Sequence, residues 1–94
     1  MDPNLVKSPK NKIKEVYHVF PIKEEGFSFA VLKYGTQLRI GIRWDGEENE
    51  LGYPHSYGYP TWFIIPKSVA ISYAQKIGKT EMFDMFLKTS DKTF

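Results

Sequence analysis

The chain has 94 residues, of which 41% are hydrophobic and 16% aromatic, with a formal net charge of +2 and no cysteine. That length holds one domain with a modest core and excludes a core plus a deep cofactor cleft. The lack of cysteine excludes a disulfide framework and any thiolate ligand or nucleophile, and it suits a reducing compartment.

Residues 1–12 contain two prolines, scattered lysines and few apolar side chains, and lack the apolar run of a signal peptide. They are expected to form a flexible basic arm, dispensable for stability, ahead of a single domain over 13–94. No apolar stretch approaches a membrane span. A soluble, cytoplasmic protein is therefore expected.

Residues 13–20 alternate, with Ile13, Glu15, Tyr17 and Val19 on one side and Lys14, Val16, His18 and Phe20 on the other, which predicts a first strand. After a polar turn, residues 27–34 are apolar on both faces, as a central strand covered on both sides would be. Gly35 permits a tight connection. Residues 38–44 then place Leu38, Ile40, Ile42 and Trp44 on one face and Arg39, Gly41 and Arg43 on the other. The first set is expected in the core and the arginines outside it, since a one-residue slip would bury both.

Asp45-Gly46 marks a turn, and residues 47–50 continue it as a solvated acidic run. Residues 52–62 follow as Gly-Tyr-Pro-His-Ser-Tyr-Gly-Tyr-Pro-Thr-Trp, with the Gly-Tyr-Pro unit present twice. The apolar run 61–65 predicts a last strand, with Trp62, Phe63 and Ile64 near Ile40 and Ile42. Beyond Pro66 the period becomes helical: Val69, Tyr73 and Ile77 form a stripe beside Ala70 and Ala74. Gly78 reads as a stop, and a second helical piece over 81–88 presents Met82, Phe83, Phe86 and Leu87. Strands followed by helices predict an α+β fold: a small antiparallel sheet of about four strands, ordered β-β-β-loop-β, with one or two C-terminal helices packed on one face.

The charge is unevenly spread: residues 1–43 carry net +4, residues 44–66 net −4 with no Lys or Arg, and residues 67–94 net +2. The aromatic loop thus lies in the acidic third, the wrong sign for a loop that grips a polyanion. Its prolines restrict the backbone and its tyrosines offer large amphipathic contact area with few rotors. A non-catalytic binding module is the expected function, inhibitor-, antitoxin- or adaptor-like and of bacterial or phage origin. Its expected partner is another protein, met through Tyr53, His55, Tyr57 and Tyr59 with the neighbouring acids Asp45, Glu47 and Glu48. The opposing structural reading is that the loop aromatics cap one edge of the core.

A second reading makes the chain a nucleotide or single-stranded nucleic-acid binder. In it the aromatics stack on bases, and Arg39 and Arg43, on one strand face with Gly41 between them, take phosphate. The milder reading of the same arginines pairs them with Glu15, Glu24 or Glu25 across strands. A third reading, a small metal-independent nuclease using His18 and His55, has two histidines to work with but no nucleophile motif, phosphate loop or metal-ligand spacing. No cofactor and no metal site is expected. The acidic run lacks the calcium-loop pattern.

Overall fold

The computed structural model describes residues 2–7, 12–47, 50–56 and 59–89. Strands β1 (Ile13–Ile22), β2 (Phe27–Tyr34) and β3 (Gln37–Trp44) form an antiparallel meander. A two-residue hairpin, β4 (His55–Ser56) and β5 (Tyr59–Pro60), interrupts the long connection. Strand β6 (Phe63–Ile65) then pairs antiparallel with Ile40–Ile42, giving the sheet order β1-β2-β3-β6. Helices α1 (Lys67–Ile77) and α2 (Thr80–Lys88) complete the chain. The α+β class, the four-stranded antiparallel sheet and the C-terminal helices are those the sequence pattern predicts.

The sheet is covered on both faces, which is why β2, its most central long strand, is buried without interruption from Phe27 to Leu32. On one face, Phe27, Phe29, Val31 and Ile40 pack against Ala70 and Ala74 of α1 and Met82 and Phe86 of α2. Phe86 meets Phe20 and Phe29 edge-on, with ring centroids 5.7 Å apart in each pair. The two alanines let α1 approach the sheet closely. Gly78, at φ 71°, ends α1 in a left-handed residue whose N–H reaches the carbonyls of Ala74 and Gln75.

The other face carries a second cluster made of Ala30, Leu32, Ile13, Trp62 and Val6. Gly41 makes room for it, since a Cβ there would lie 3.1 Å from the Trp62 ring and 2.8 Å from Leu32. Val6 corrects the expectation of an arm without anchors. A short 3-10 turn at Pro3–Leu5, capped by the Asp2 carboxylate at 2.9 Å, delivers Val6 into the core with no exposed surface. The Trp62 indole Nε1 donates to the Val6 carbonyl at 2.7 Å.

The apolar face of β3 points to the core as the pattern promised, but its coverage is uneven, and the arginine face, expected outside the core, is buried as well. Ile40 is fully buried and Ile42 partly so, whereas Trp44 on the same face is half exposed. Trp62 is buried as expected, on the face opposite Ile40, while Phe63 is exposed. The cause is length: a strand of eight residues runs about 26 Å. Neither helix, at 11 and 9 residues, exceeds about 17 Å. The helix-covered face therefore emerges at both ends of the strands.

Two outcomes follow for stability. Ile40→Ala should lower the unfolding free energy by about 2–5 kcal/mol, as for other buried large-to-small changes, measured by urea denaturation. Deleting residues 1–7 should lower the thermal midpoint by more than about 5 °C, roughly 1 kcal/mol for a domain of this size. An unchanged midpoint would show that the Val6–Trp62 contact contributes nothing.

Candidate functional site

The candidate site is built on the end of β3 and the chain that returns to it. Arg43, expected on an open face, is the largest fully buried side chain, at 1% exposure. Its guanidinium points into the long connection and binds that connection's backbone. Nη2 donates to the Leu51 carbonyl, and Nη1 donates to the Thr61 carbonyl at 2.5 Å with a longer contact to the Pro54 carbonyl at 3.5 Å. Thr61 N–H donates to the same Pro54 carbonyl at 2.9 Å and closes the base of the β4-β5 hairpin. A loop rich in proline has fewer backbone donors to offer its own carbonyls, and the buried cation supplies them.

A buried cation needs a counter-charge. Asp45 stands 3.6 Å from Arg43 Nε, and its other oxygen accepts from the Ser28 hydroxyl at 2.6 Å. Neither Arg43 Nε nor Asp45 Oδ1 has a hydrogen bond of its own, so the two attract by charge alone. Burial pushes the Arg43 pKa down while Asp45 pulls it back up. Burial pushes the Asp45 carboxyl up, against the Ser28 hydrogen bond and the nearby guanidinium. Arg43 stays protonated throughout. This arrangement corrects both expectations for Arg43: it neither lies free for a phosphate nor pairs with the strand acids.

Arg39 is buried as well, at 7% exposure, and donates to the Gln37 side chain and to the Leu38 carbonyl. The face between the two arginines carries the Trp62 ring, seated over Gly41. Gly52 completes the fit around Arg43. Its φ is 71°, and a Cβ would fall on the Trp44 carbonyl and 2.5 Å from Arg43 Nη2. Any side chain at position 52 would displace the guanidinium.

With its backbone pinned, the connection lays aromatic side chains along the edge of β3. Trp44 and Tyr53 form a bridge through two reciprocal 2.7 Å backbone hydrogen bonds, and opposed residues of an antiparallel pair share a face. Phe63 follows along the same edge, opposite Ile42, with its ring 5.5 Å from that of Tyr53. His55 stands edge-on to Tyr53 at 6.2 Å. Trp44, Tyr53 and Phe63 are 52%, 55% and 45% exposed. Each is thus fixed on one side and open on the other.

Trp44, Tyr53 and His55 also line a cleft of about 490 Å³ with Gly46, Gly52 and Glu50. The exposed Glu50 carboxylate accepts from the Glu47 backbone N–H at 2.7 Å and so stays over this turn. Of the expected binding residues, the structure brings Tyr53 and His55 together, and Glu47 lies in the turn with Glu50. Tyr59 is 65% exposed on the hairpin, where its backbone pairs with Ser56. Tyr57 and Glu48 lie outside the described residues.

Trp44 and Phe63 were read as core, yet they form the middle of the exposed patch. The signal that could have found Trp44 is its place at the last position of a strand, just before Asp45-Gly46, beyond the reach of a short helix. His18, on β1, lines other clefts than His55 does. No group of three or more His, Asp or Glu among the described residues could hold a metal ion, and no described helix is long and apolar enough to cross a membrane. Comparison of the chain with known protein families, characterised proteins and solved structures finds no match.

Removing the Arg43 head group should be costly because it strands buried carbonyls and Asp45. Arg43→Ala should destabilise by roughly 3–5 kcal/mol, and Arg43→Lys should recover only part of this, because an ammonium cannot span separated acceptors as a planar guanidinium does. Urea midpoints measure the loss. Limited proteolysis should cleave the Arg43→Ala chain faster within 45–61 than elsewhere.

Proposed function

We propose that this chain is a small non-catalytic binding module that recognises another protein through the aromatic edge formed by Trp44, Tyr53, His55 and Phe63, with Tyr59 on the adjoining hairpin. The observation that carries this reading is that three large aromatic side chains stand together half exposed, on a backbone that Arg43 holds in place. Contiguous exposed apolar surface on a small domain marks interaction sites. Anchors held rigid before contact lose little entropy on binding, which supports recognition over a merely structural cap.

Charge supports a basic partner surface. Residues 44–66 carry net −4, of which Asp45 offsets the buried Arg43; Glu50 lines the cleft with Trp44, Tyr53 and His55, and Glu47 is tied to it within the same turn. Faces of Trp and Tyr attract cations, and nearby carboxylates add to that attraction. A lysine or arginine side chain of the partner would meet both in the cleft between the turn and the rings. The nucleotide reading has less support, because the guanidinium of Arg43 is taken up by loop carbonyls and Arg39 is buried. The nuclease reading would need His18 and His55 to act together, and they line separate clefts.

Selection from a random peptide display library tests the proposal without a known partner. The wild-type chain should enrich Lys- or Arg-containing peptides. Tyr53→Ala and Phe63→Ala should each weaken their binding by about 1–2 kcal/mol or more. Tyr53→Ala should also change stability by no more than about 0.5 kcal/mol, as an exposed site should. Enrichment that survives both substitutions, or selective retention of single-stranded nucleic acid with a steep salt dependence, would overturn it.

A further inference from the structure

The opposite end of the helix-covered face carries a second opening, independent of the aromatic edge. There β2 and β3 run past the end of α2 and leave a cavity of about 430 Å³, within the range of small-molecule sites. Its apolar floor is Val31, Leu38 and Met85, from three different elements. Val31 is buried, and Leu38 and Met85 are partly so. Lys33, Lys88 and His18 stand at its rim, all exposed, and among the described residues no acid lines it. Glu15 stands directly across the β1-β2 pairing from Lys33; its carboxylate interacts with the hydroxyl of Tyr17 and forms no ion pair with Lys33.

The carbonyl end of α2 would ordinarily repel an anion here. In this fold that end is already satisfied. Lys67 Nζ donates to the Leu87 carbonyl at 3.2 Å and to the Thr89 carbonyl at 2.9 Å. The Thr89 hydroxyl donates to the Met85 carbonyl at 3.0 Å, and its N–H to the Phe86 carbonyl at 3.2 Å. Lys67 thus neutralises the helix end from the α1 side. Lys33 and Lys88 make no hydrogen bond or ion pair among the described residues. Two ammonium groups that make no ion pair among the described residues give the apolar floor a positive rim.

We propose that this cavity binds a small amphipathic anion, a carboxylate whose apolar body lies on Val31, Leu38 and Met85 and whose head group meets Lys33 and Lys88. The apolar floor supplies area-dependent affinity, and the ammonium groups supply charge-assisted hydrogen bonds that select the anion over its neutral counterpart. The Gln37 side chain at the same rim, whose Oε1 accepts from Arg39, keeps its amide N–H donors for the head group.

Titration of the ¹⁵N-labelled chain with decanoate, below its micelle concentration, tests this directly. Saturable amide shifts are expected at residues 17–18, 31–38 and 85–89, and at neither Tyr53 nor Phe63. Decanamide, the uncharged analogue, should bind at least about tenfold more weakly. The double variant Lys33→Gln/Lys88→Gln, with both changes on exposed side chains, should keep the wild-type thermal midpoint and lose about tenfold in decanoate affinity. Met85→Trp, which fills the floor, should abolish the shifts. No saturable shift, shifts centred elsewhere, or equal affinity for decanoate and decanamide would overturn the proposal.

Discussion

A guanidinium taken out of water must find an acceptor for each of its donors or lose the hydration it gave up. Arg43 finds three acceptors for its Nη groups in the backbone of the connection between β3 and β6, at Leu51, Pro54 and Thr61, while its Nε has only the charge of Asp45. This single group does the work that a strand pairing would do in a more regular protein. It sits where Tyr53 has left the β3 edge and Phe63 has yet to join it, and it fills the gap with hydrogen bonds aimed outward from the sheet. Strand pairing fixes Trp44 and Phe63, and the course of the chain between them, which carries Tyr53 and His55, depends on that clamp. Its charge is balanced only loosely, by an aspartate at 3.6 Å without a direct hydrogen bond. A hydrophobic residue of the same volume would pack there without the counter-charge, but it would leave the loop carbonyls without donors.

The rest of the architecture follows from covering a four-stranded sheet with too little chain. Two short helices cover the middle of one face. The other face is closed by Trp62, by the 3-10 turn that carries Val6, and by the arginine-bound connection. Each cover is shorter than the strands. The exposed aromatic edge at the Trp44 end and the lysine-rimmed cavity at the Lys33 end therefore have one origin, in the mismatch between strand and helix length. The functional surfaces proposed above are two places where the core reaches the surface.

Much of this fold was legible in the sequence because period and punctuation agree. The alternation from Leu38 to Trp44, the two-sided apolar run of β2, and the stop at Gly78 each have one simple structural solution. What was not legible is coverage, which pattern alone does not encode. Alternation says that Ile40, Ile42 and Trp44 share a face, but not that the helices end before Trp44. The same limit misassigned Phe63. Burial of Arg43 was hidden because its partners are carbonyls 8 to 18 positions away, and every residue type offers a carbonyl. Val6 was overlooked because a lone apolar residue in a polar segment gives no periodic signal. Composition puts Tyr53 and His55 in one candidate loop with Tyr57 and Tyr59, but what aligns Tyr53 with the β3 edge, its bridge to Trp44, is a tertiary feature.

The central claim is that Arg43 is a buried, multiply bonded clamp, and side-chain NMR of the arginines tests it most directly. The chain has only two arginines, so an Arg39→Lys variant assigns both sets of guanidinium signals. The account predicts that the Arg43 Nη protons exchange slowly with water and give separate signals, because bonds to fixed carbonyls hinder rotation of the head group. A single averaged, rapidly exchanging Arg43 signal, like that of an arginine in open solvent, would contradict it.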